Sequence, residues 1–356
     1  MRRARWAGSS LAVRAAPVAV VASLVLAPGA AASEREADPL SLGAVEPRPA
    51  AGPVRDRVIT GARTAAAARR VDTGTYRDPD GHTVVVNVSD DYSQPTVRAQ
   101  ELVNFLGTLL HGDEMNRLTA TLATPAEIRV VCGEGALACY FAGSEEIVVS
   151  GEDGGPTQPP RELVIAHEYG HHVATNRSNK PWSALERGTK RWSTHEGICR
   201  GIKQRRIHPA RYFENPGEAF AEAFAFYHYP SVIRWEWEIA RPDATAYRAI
   251  FDDVTSPWAR RTSEGWSGRL TRAHRRERRR LVTPLDGRLK VSLDAPRGAD
   301  FDLALLAGHS DRVLRRAAHP RSDETLRYTV CGRRSVRVLV HRFDGAGEFE
   351  VTTARP

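Results

Sequence analysis

Apolar side chains recur at helical spacing in three stretches of the middle of the chain. Residues 94–110 and 161–174 each gather their apolar positions on one side of a helix, which predicts two amphipathic helices. Residues 214–226 begin with the turn residues Asn215-Pro216-Gly217 and continue as an alanine-rich and aromatic run. This pattern predicts a third helix, one whose surroundings are apolar.

Short runs of alternating apolar and polar residues lie upstream of the second predicted helix. Such alternation is typical of strands, and it predicts strands at 83–88, 127–131 and 145–150. Strands before that helix and helices after it favour an α+β domain, which we place at residues 76–262.

The pattern changes after Pro284, where short alternating segments are separated by Gly and Asp turns. This spacing predicts a small all-β sandwich over residues 285–354. Residues 263–284 are interpreted as a basic linker between the two domains. The predicted strands are 289–293, 301–306, 324–330, 335–340 and 348–351.

The first 32 residues have the pattern of a cleaved secretory signal peptide. A basic start is followed by an apolar stretch from Pro17 to Leu26, and Ala30-Ala31-Ala32 offers a cleavage site before Ser33. The alternative is a retained N-terminal anchor. No later segment is apolar enough to cross a membrane. Residues 33–75, rich in Ala, Pro, Arg and Glu, are interpreted as a linker or short propeptide.

The formal charge of the whole chain is +8, and removal of the four arginines of the signal leaves +4. A charge of this size argues against a dedicated nucleic-acid-binding protein. The dense basic run Arg272–Arg280 is interpreted as a solvated helix or linker. The alternative is contact with an anionic cell surface.

Four cysteines in an exported chain predict disulfide bonds. Cys132 and Cys139 enclose six residues, so a local bridge between them is easy to close. Cys199 and Cys331 would then pair across the chain. Four cysteines allow three pairings, and this one is favoured over the other two.

The sequence His167-Glu168-Tyr169-Gly170-His171 lies within the second predicted helix. Residues i and i+4 share a helix face, so both imidazoles can bind one zinc ion. Glu168 then lies beside the metal, where it can take a proton from water. Gly170 is costly inside a helix by about 1 kcal/mol, which suggests the close approach of another backbone or ligand.

A third ligand is expected from the helix at 214–226. Glu218 and Glu222 are four residues apart on a face that is otherwise mostly apolar. Buried carboxylates need a partner or a metal. We therefore predict Glu218 as a zinc ligand and Glu222 as the acceptor for a ligand imidazole N–H. The alternative is a surface helix with two solvated glutamates.

The motif and the Glu218-Ala-Phe-Ala-Glu222-Ala-Phe stretch resemble the gluzincin metallopeptidases, in particular the anthrax lethal factor catalytic domain and its bacterial relatives. The resemblance implies zinc bound by His167, His171 and Glu218. It also implies a tyrosine that steadies the oxyanion, for which Tyr212 is the nearest match. The alternative donors are His208, Tyr227 and His228.

Two further features follow from resemblance. In such peptidases the strand before the active helix runs along the cleft and pairs with the substrate, which implies this role for residues 145–150 or for 142–144. The alternative is an ordinary edge strand of the core sheet. Residues 299–303 and 345–351 resemble the pre-peptidase C-terminal module of secreted bacterial proteases. This module implies an accessory role without catalytic residues.

The sequence thus predicts a zincin-like α+β domain followed by an all-β sandwich. The expected function is a secreted endopeptidase with one Zn²⁺ per chain, Glu168 as general base, and a protein or peptide substrate. Two alternatives remain. One is a cell-surface binding protein with a structural or inactive zinc site, and the other is a zinc amidase acting on cell-wall peptide.

Overall fold

The N-terminal part of the described chain contains a mixed six-stranded sheet. The computed structural model describes residues 52–61, 72–231, 234–259, 261–319 and 323–356, so the predicted signal peptide lies outside the described residues. Strand order is β1-β5-β6-β4-β3-β2. Strands β3, β4 and β6 are parallel, β1 is parallel to β5, and β2 and β5 run antiparallel to their inner neighbours. The strands are β1 (Val58–Ile59), β2 (Asp72–Arg77), β3 (Thr83–Val88), β4 (Thr119–Ala123), β5 (Cys139–Phe141) and β6 (Glu146–Ser150).

Helices pack on this sheet and on one another. The two that matter most for the site are α3, which is buried along nearly its whole length, and α7, which is buried from Pro216 to Phe226. The helices are α1 (Pro95–Thr108), α2 (Pro125–Val131), α3 (Arg161–Thr175), α4 (Ala184–Arg187), α5 (Lys190–His195), α6 (Ile198–Lys203), α7 (Pro216–His228) and α8 (Ala244–Thr255). A small hairpin, β7 (Ser178–Asn179) and β8 (Trp182–Ser183), follows α3.

Gly170 permits a close approach of α3 to α7. A Cβ atom at this position would lie 2.9 Å from Cα of Ala221 and 3.1 Å from its carbonyl oxygen. Contacts this short with backbone atoms force a shift of the helices, because neither atom can rotate away. The absence of a side chain at Gly170 therefore sets the distance between the two helices.

Two N-terminal predictions need correction. Residues 127–131 are not a strand but most of helix α2, because Thr124 and Glu127 form a reciprocal capping box at its start. Residues 52–61 are not an unpacked linker. Val54 is fully buried in the main core and β1 pairs with β5. Strand β2 begins at Asp72, so regular structure starts before the predicted boundary at 76.

The C-terminal part is a β-sandwich of two four-stranded sheets, as the sequence predicts. The sheet orders are β10-β15-β12-β13 and β14-β11-β16-β9. All five predicted strands are present, and their inward residues form one apolar core. The strands are β9 (Thr262–Leu270), β10 (Arg276–Thr283), β11 (Gly287–Asp294), β12 (Asp300–Ala307), β13 (Val313–Ala317), β14 (Glu324–Val330), β15 (Arg334–Asp344) and β16 (Gly347–Arg355).

The predicted basic linker at 263–284 is wrong. These residues form β9 and β10, so the sandwich begins at Thr262. The arginines of β10 mostly face solvent, while Leu281 and Thr283 point inward. A strand with one solvated face can carry a run of charged residues. In the sequence alone, such a run resembles a linker.

Two disulfides, Cys132–Cys139 and Cys199–Cys331, have the pairing favoured by the sequence. The second ties α6 to the segment after β14. Beside it, the backbone N–H of Asp286 donates to Oγ1 of Thr194 at 3.0 Å. Among the described helices, none has the length and apolar character needed to cross a membrane.

Candidate metal centre

Helix α3 presents His167, Glu168 and His171, and all three are completely buried. Nδ1 of His167 lies 2.8 Å from Oε2 of Glu222 on α7. This contact orients the ring with its proton on Nδ1, donated to the carboxylate, and leaves the lone pair of Nε2 directed into the interior. Glu222 thus lies where the sequence places it, as acceptor for an imidazole N–H.

Two carboxylates complete a cluster around the histidine Nε2 atoms. Oε2 of Glu218 lies 3.2 Å from Nε2 of His171 and 3.6 Å from Nε2 of His167. Asp56, from the N-terminal segment, places Oδ2 3.1 Å from Nε2 of His171 and Oδ1 3.6 Å from Nε2 of His167. Two helices and one extended segment therefore converge on a single point.

These four side chains fit a divalent metal ion. Zinc–ligand bonds of about 2.0–2.2 Å in a tetrahedron separate neighbouring donor atoms by about 3.3–3.6 Å, close to the separations of 3.1–3.6 Å between these histidine and carboxylate atoms. Among the described residues, Nε2 of both histidines and one oxygen each of Asp56 and Glu218 lack an aligned hydrogen bond. Buried polar atoms without partners are rare, and a shared cation satisfies all four.

The charge of the cluster also favours a cation. The carboxyl groups of Asp56, Glu218 and Glu222 surround two imidazoles in a buried space. Burial alone would lower the pKa of His167, but the charge of Asp56 and hydrogen bonds to the surrounding carboxylates outweigh it and raise that pKa well above its usual value. The same competition between burial and the charges of Glu218 and Asp56 raises the pKa of His171 to about 10. The carboxylates thus attract positive charge, which a proton or a metal ion can supply.

Glu168 is fully buried, and neither of its carboxylate oxygens has a hydrogen-bond partner among the described residues. Burial and the charge of Asp56 raise the pKa of Glu168 well above its ordinary value. A carboxylate with a raised pKa, next to a cluster that attracts a cation, is suited to accept and return a proton.

Tyr212 also reaches the cluster, through Asp56. Its hydroxyl lies 2.5 Å from the carbonyl oxygen of Val54 and 3.0 Å from Oδ1 of Asp56. Burial, followed by the charges of Asp56 and Glu218, raises the pKa of Tyr212, so the phenol stays protonated. A protonated phenol at this place is a hydrogen-bond donor.

The alternative oxyanion donors have other contacts. His208 pairs with Glu214 at 2.6 Å near the surface. Nε2 of His228 accepts the backbone N–H of Leu110 at 3.1 Å, and the ring of Tyr227 packs against His228. Of the four candidates, the structure brings Tyr212 into contact with a residue of the cluster.

Asp56 is the member of the cluster that sequence reasoning missed, because it lies within residues interpreted as a linker or propeptide. A weak signal was present. In the sequence Val54-Arg55-Asp56-Arg57, exposed arginines alternate with residues that are buried in the structure. This is the alternation of a strand with one face toward the core. An acid on the apolar side of such a short run indicates a buried partner or a metal.

The cleft-strand prediction also needs correction. Residues 146–150 form β6, which lies between β5 and β4 and therefore has no free edge. Residues 142–144 follow β5 and are not part of a strand. The strand next to the site with an outward edge is β5, and β1 pairs with it there. The order of strands in the sheet decides which strand a substrate can reach. Alternation along the chain does not reveal that order.

A second group, Asp78, His82 and His111, also brings possible metal ligands together. Here the carboxylate already accepts the backbone N–H of His82 at 2.7 Å and lies 3.0 Å from Nδ1 of the same histidine. Nε2 of His111 is 4.0 Å away. These contacts close the turn between β2 and β3, and we interpret the group as stabilising that turn.

Comparisons with known proteins leave the chain without an assigned family. No protein-family model matches it, and no curated protein matches it. A pre-peptidase C-terminal domain of a collagenase from Bacillus anthracis is similar over 26% of this chain and 88% of its own length, at 11% identity and TM-score 0.24. The Yersinia pseudotuberculosis-derived mitogen matches 27% of the chain and 87% of its own, at 13% identity and TM-score 0.22. The periplasmic lysozyme inhibitor PliG from Aeromonas hydrophila matches 27% and 86%, at 6% identity and TM-score 0.20.

Proposed function

We propose that this protein is a secreted zinc-dependent endopeptidase of the zincin type. The observation that carries the proposal is the buried set of His167, His171 and Glu218 with the unpartnered carboxylate of Glu168 beside it. Two imidazole nitrogens and a carboxylate oxygen are a donor set that zinc prefers in catalytic sites. The two disulfides and the signal-like N-terminus support secretion.

His167, His171 and Glu218 would hold the zinc ion, which would supply a Lewis acid to polarise a peptide carbonyl and to lower the pKa of water. Glu168 accepts the proton of the attacking water and later passes it to the nitrogen of the leaving amine. The hydroxyl of Tyr212 donates to the developing oxyanion. Glu222 holds the ring of His167 in its tautomer and orientation through the 2.8 Å contact.

Asp56 favours a second candidate function, because it brings the number of protein donors to four. Four protein ligands are typical of structural zinc sites, whereas catalytic sites keep one position for substrate. The second candidate is therefore a cell-surface binding protein with a structural zinc site. A structural site does not require the carboxylate of Glu168 to be buried without a partner, which is why we prefer the peptidase.

The test removes the proton acceptor and keeps the metal ligands. The background is the chain from Ser33 with two substitutions. Asp56→Ala removes the fourth donor, and Val54→Asp removes the buried apolar side chain that holds the same extended segment in the core. We expect Glu168→Gln to retain zinc in this background and to lower casein hydrolysis by about 10²–10⁴-fold, the usual contribution of a general base. Glu236→Gln, at an exposed position, is the matched control.

Zinc bound in this background, with no cleavage of casein or of a peptide library, would contradict the peptidase. Lysis of cell walls by the same protein would then indicate an amidase acting on cell-wall peptide. The absence of lysis as well would favour the structural zinc site.

A further inference from the structure

The N-terminal segment is bound to the edge of the sheet as an added strand. Backbone N–H groups of Leu137, Tyr140 and Ala142 donate to the carbonyl oxygens of Arg55, Arg57 and Ile59 at 2.8, 3.0 and 3.0 Å. These bonds involve alternate residues of the segment and no side chain. Strand addition of this kind is a common way for a protein to bind an extended peptide whatever its sequence.

Two neighbouring side chains of the segment face inward, where Asp56 reaches the candidate metal centre and Val54 packs in the core. Val54 is completely buried and Asp56 is 7% exposed, whereas Arg55 and Arg57 face solvent. Tyr212 fixes the segment at this point by contacting both the carbonyl oxygen of Val54 and Oδ1 of Asp56. The backbone therefore delivers one carboxylate to the metal ligands and engages the proposed oxyanion donor at the same time.

An active peptidase needs three things that this segment occupies. Attack on a peptide requires an open coordination position, a free oxyanion donor and an accessible strand edge along which the substrate can lie. Asp56 occupies the open coordination position, the contacts of Tyr212 engage the oxyanion donor, and β1 covers the strand edge. All three are engaged by residues 54–59.

We propose that residues 54–59 hold the enzyme latent, with Asp56 as a fourth, removable metal ligand, and that an extended peptide substrate binds β5 in their place. The proposal rests on the proposed function. Displacement of the segment opens the metal to an outside ligand and frees the edge of β5. The side chains of Arg55 and Arg57 are exposed and take no part in the block, whereas their backbone carbonyls help to occupy the edge of β5.

The first experiment measures access to the metal and not activity. The chain from Ser33 is loaded with Co²⁺, and its visible absorption spectrum is recorded with and without acetohydroxamate, a small metal-binding ligand. We expect the parent spectrum to be unaffected by acetohydroxamate. The Asp56→Ala and Asp56→Asn variants should show a changed spectrum that responds to it. Asp90→Ala and Asp90→Asn, at an exposed position, are the matched controls.

The second experiment displaces the segment. Val54→Asp places a charge in the core next to the carboxylates, and with Asp56→Ala it should raise casein hydrolysis at least tenfold above the parent. Thr60→Asp adds the same charge at an exposed position just after the segment and should leave activity at the parent level.

Three results overturn the proposal. They are a parent spectrum that already responds to acetohydroxamate, a parent that hydrolyses casein measurably and as fast as the double variant, and loss of the metal in both Asp56 variants. A double variant whose metal responds to acetohydroxamate but which cleaves no peptide contradicts the proposed function. That last result leaves Asp56 as the fourth ligand, so the two failures are distinguishable.

Discussion

At the scale of single residues, the candidate centre is a compromise between burial and charge. Asp56, Glu168, Glu218 and Glu222 lie around two histidines where water cannot solvate them. Burying a carboxylate without compensation is costly, so the arrangement is stable only with protons or a cation in it. The sequence identifies five of these six residues, because helix periodicity links 167 to 171 and 218 to 222. Asp56 is missed because its partners lie more than 100 residues away along the chain and the alternation of residues 54–57 is only a weak local signal.

His228 provides a residue-scale prediction away from the cluster. Burial lowers the pKa of His228 to about 4, whereas a histidine in the unfolded chain titrates near about 6.5. Between these values the unfolded chain binds a proton that the folded chain does not, so stability falls as the pH decreases from 6.5 toward 4. We expect this histidine to contribute a loss of about 2–3 kcal/mol in the free energy of unfolding by pH 4.5.

The measurement compares urea unfolding of the parent and of His228→Gln across this pH range. Glutamine keeps an oxygen that can accept the N–H of Leu110 but does not titrate, so its curve should be flatter by that amount. Other groups contribute equally to both proteins and cancel in the difference. Parallel curves would show that His228 titrates normally in the folded chain.

At the scale of elements, sequence patterns predict those helices and strands whose environment is set locally. The amphipathic spacing of 161–174 gives α3 almost to the residue, and the sandwich strands follow from alternation. The errors occur where a second influence overrides the pattern. The Thr124–Glu127 capping box makes 125–131 helical despite its alternation. Backbone pairing with β15 holds the basic run in β10, because such pairing tolerates any side chain on a solvated face.

The packing of α3 on α7 gives an element-scale prediction. Gly170→Ala gains helix propensity, but its methyl group would meet backbone atoms of Ala221 at 2.9 and 3.1 Å. We expect the helices to separate, with a loss of about 1–3 kcal/mol in stability, typical of overpacking. Because the histidines lie on α3 and Glu218 on α7, zinc affinity should fall at least tenfold.

Competition with a chelator measures that affinity. Gly201→Ala in α6 is the control, because its new methyl group meets side-chain atoms of Ile207 and no backbone atom, away from the metal ligands. An unchanged affinity in Gly170→Ala would mean that the spacing of α3 and α7 does not set the positions of the metal ligands.

At the scale of the whole molecule, the α/β region and the sandwich are joined by covalent and polar contacts. The Cys199–Cys331 bridge spans 132 residues, and Asp286 contacts Thr194 beside it. The sequence predicts the sandwich and favours this pairing, because the cysteines have few combinations. It does not predict the order of strands in the six-stranded sheet. That order depends on which distant edges meet, and it is what places residues 54–59 over the site.

The central claim is that the buried donors on α3 and α7 form a zinc centre. The most direct test is the zinc content of the chain from Ser33 and of its His171→Ala variant, measured by elemental analysis after dialysis against buffered zinc. We predict one zinc per chain in the parent and a loss of that zinc in the variant, with the fold retained by circular dichroism. A parent without zinc, or equal zinc in both proteins, would contradict it.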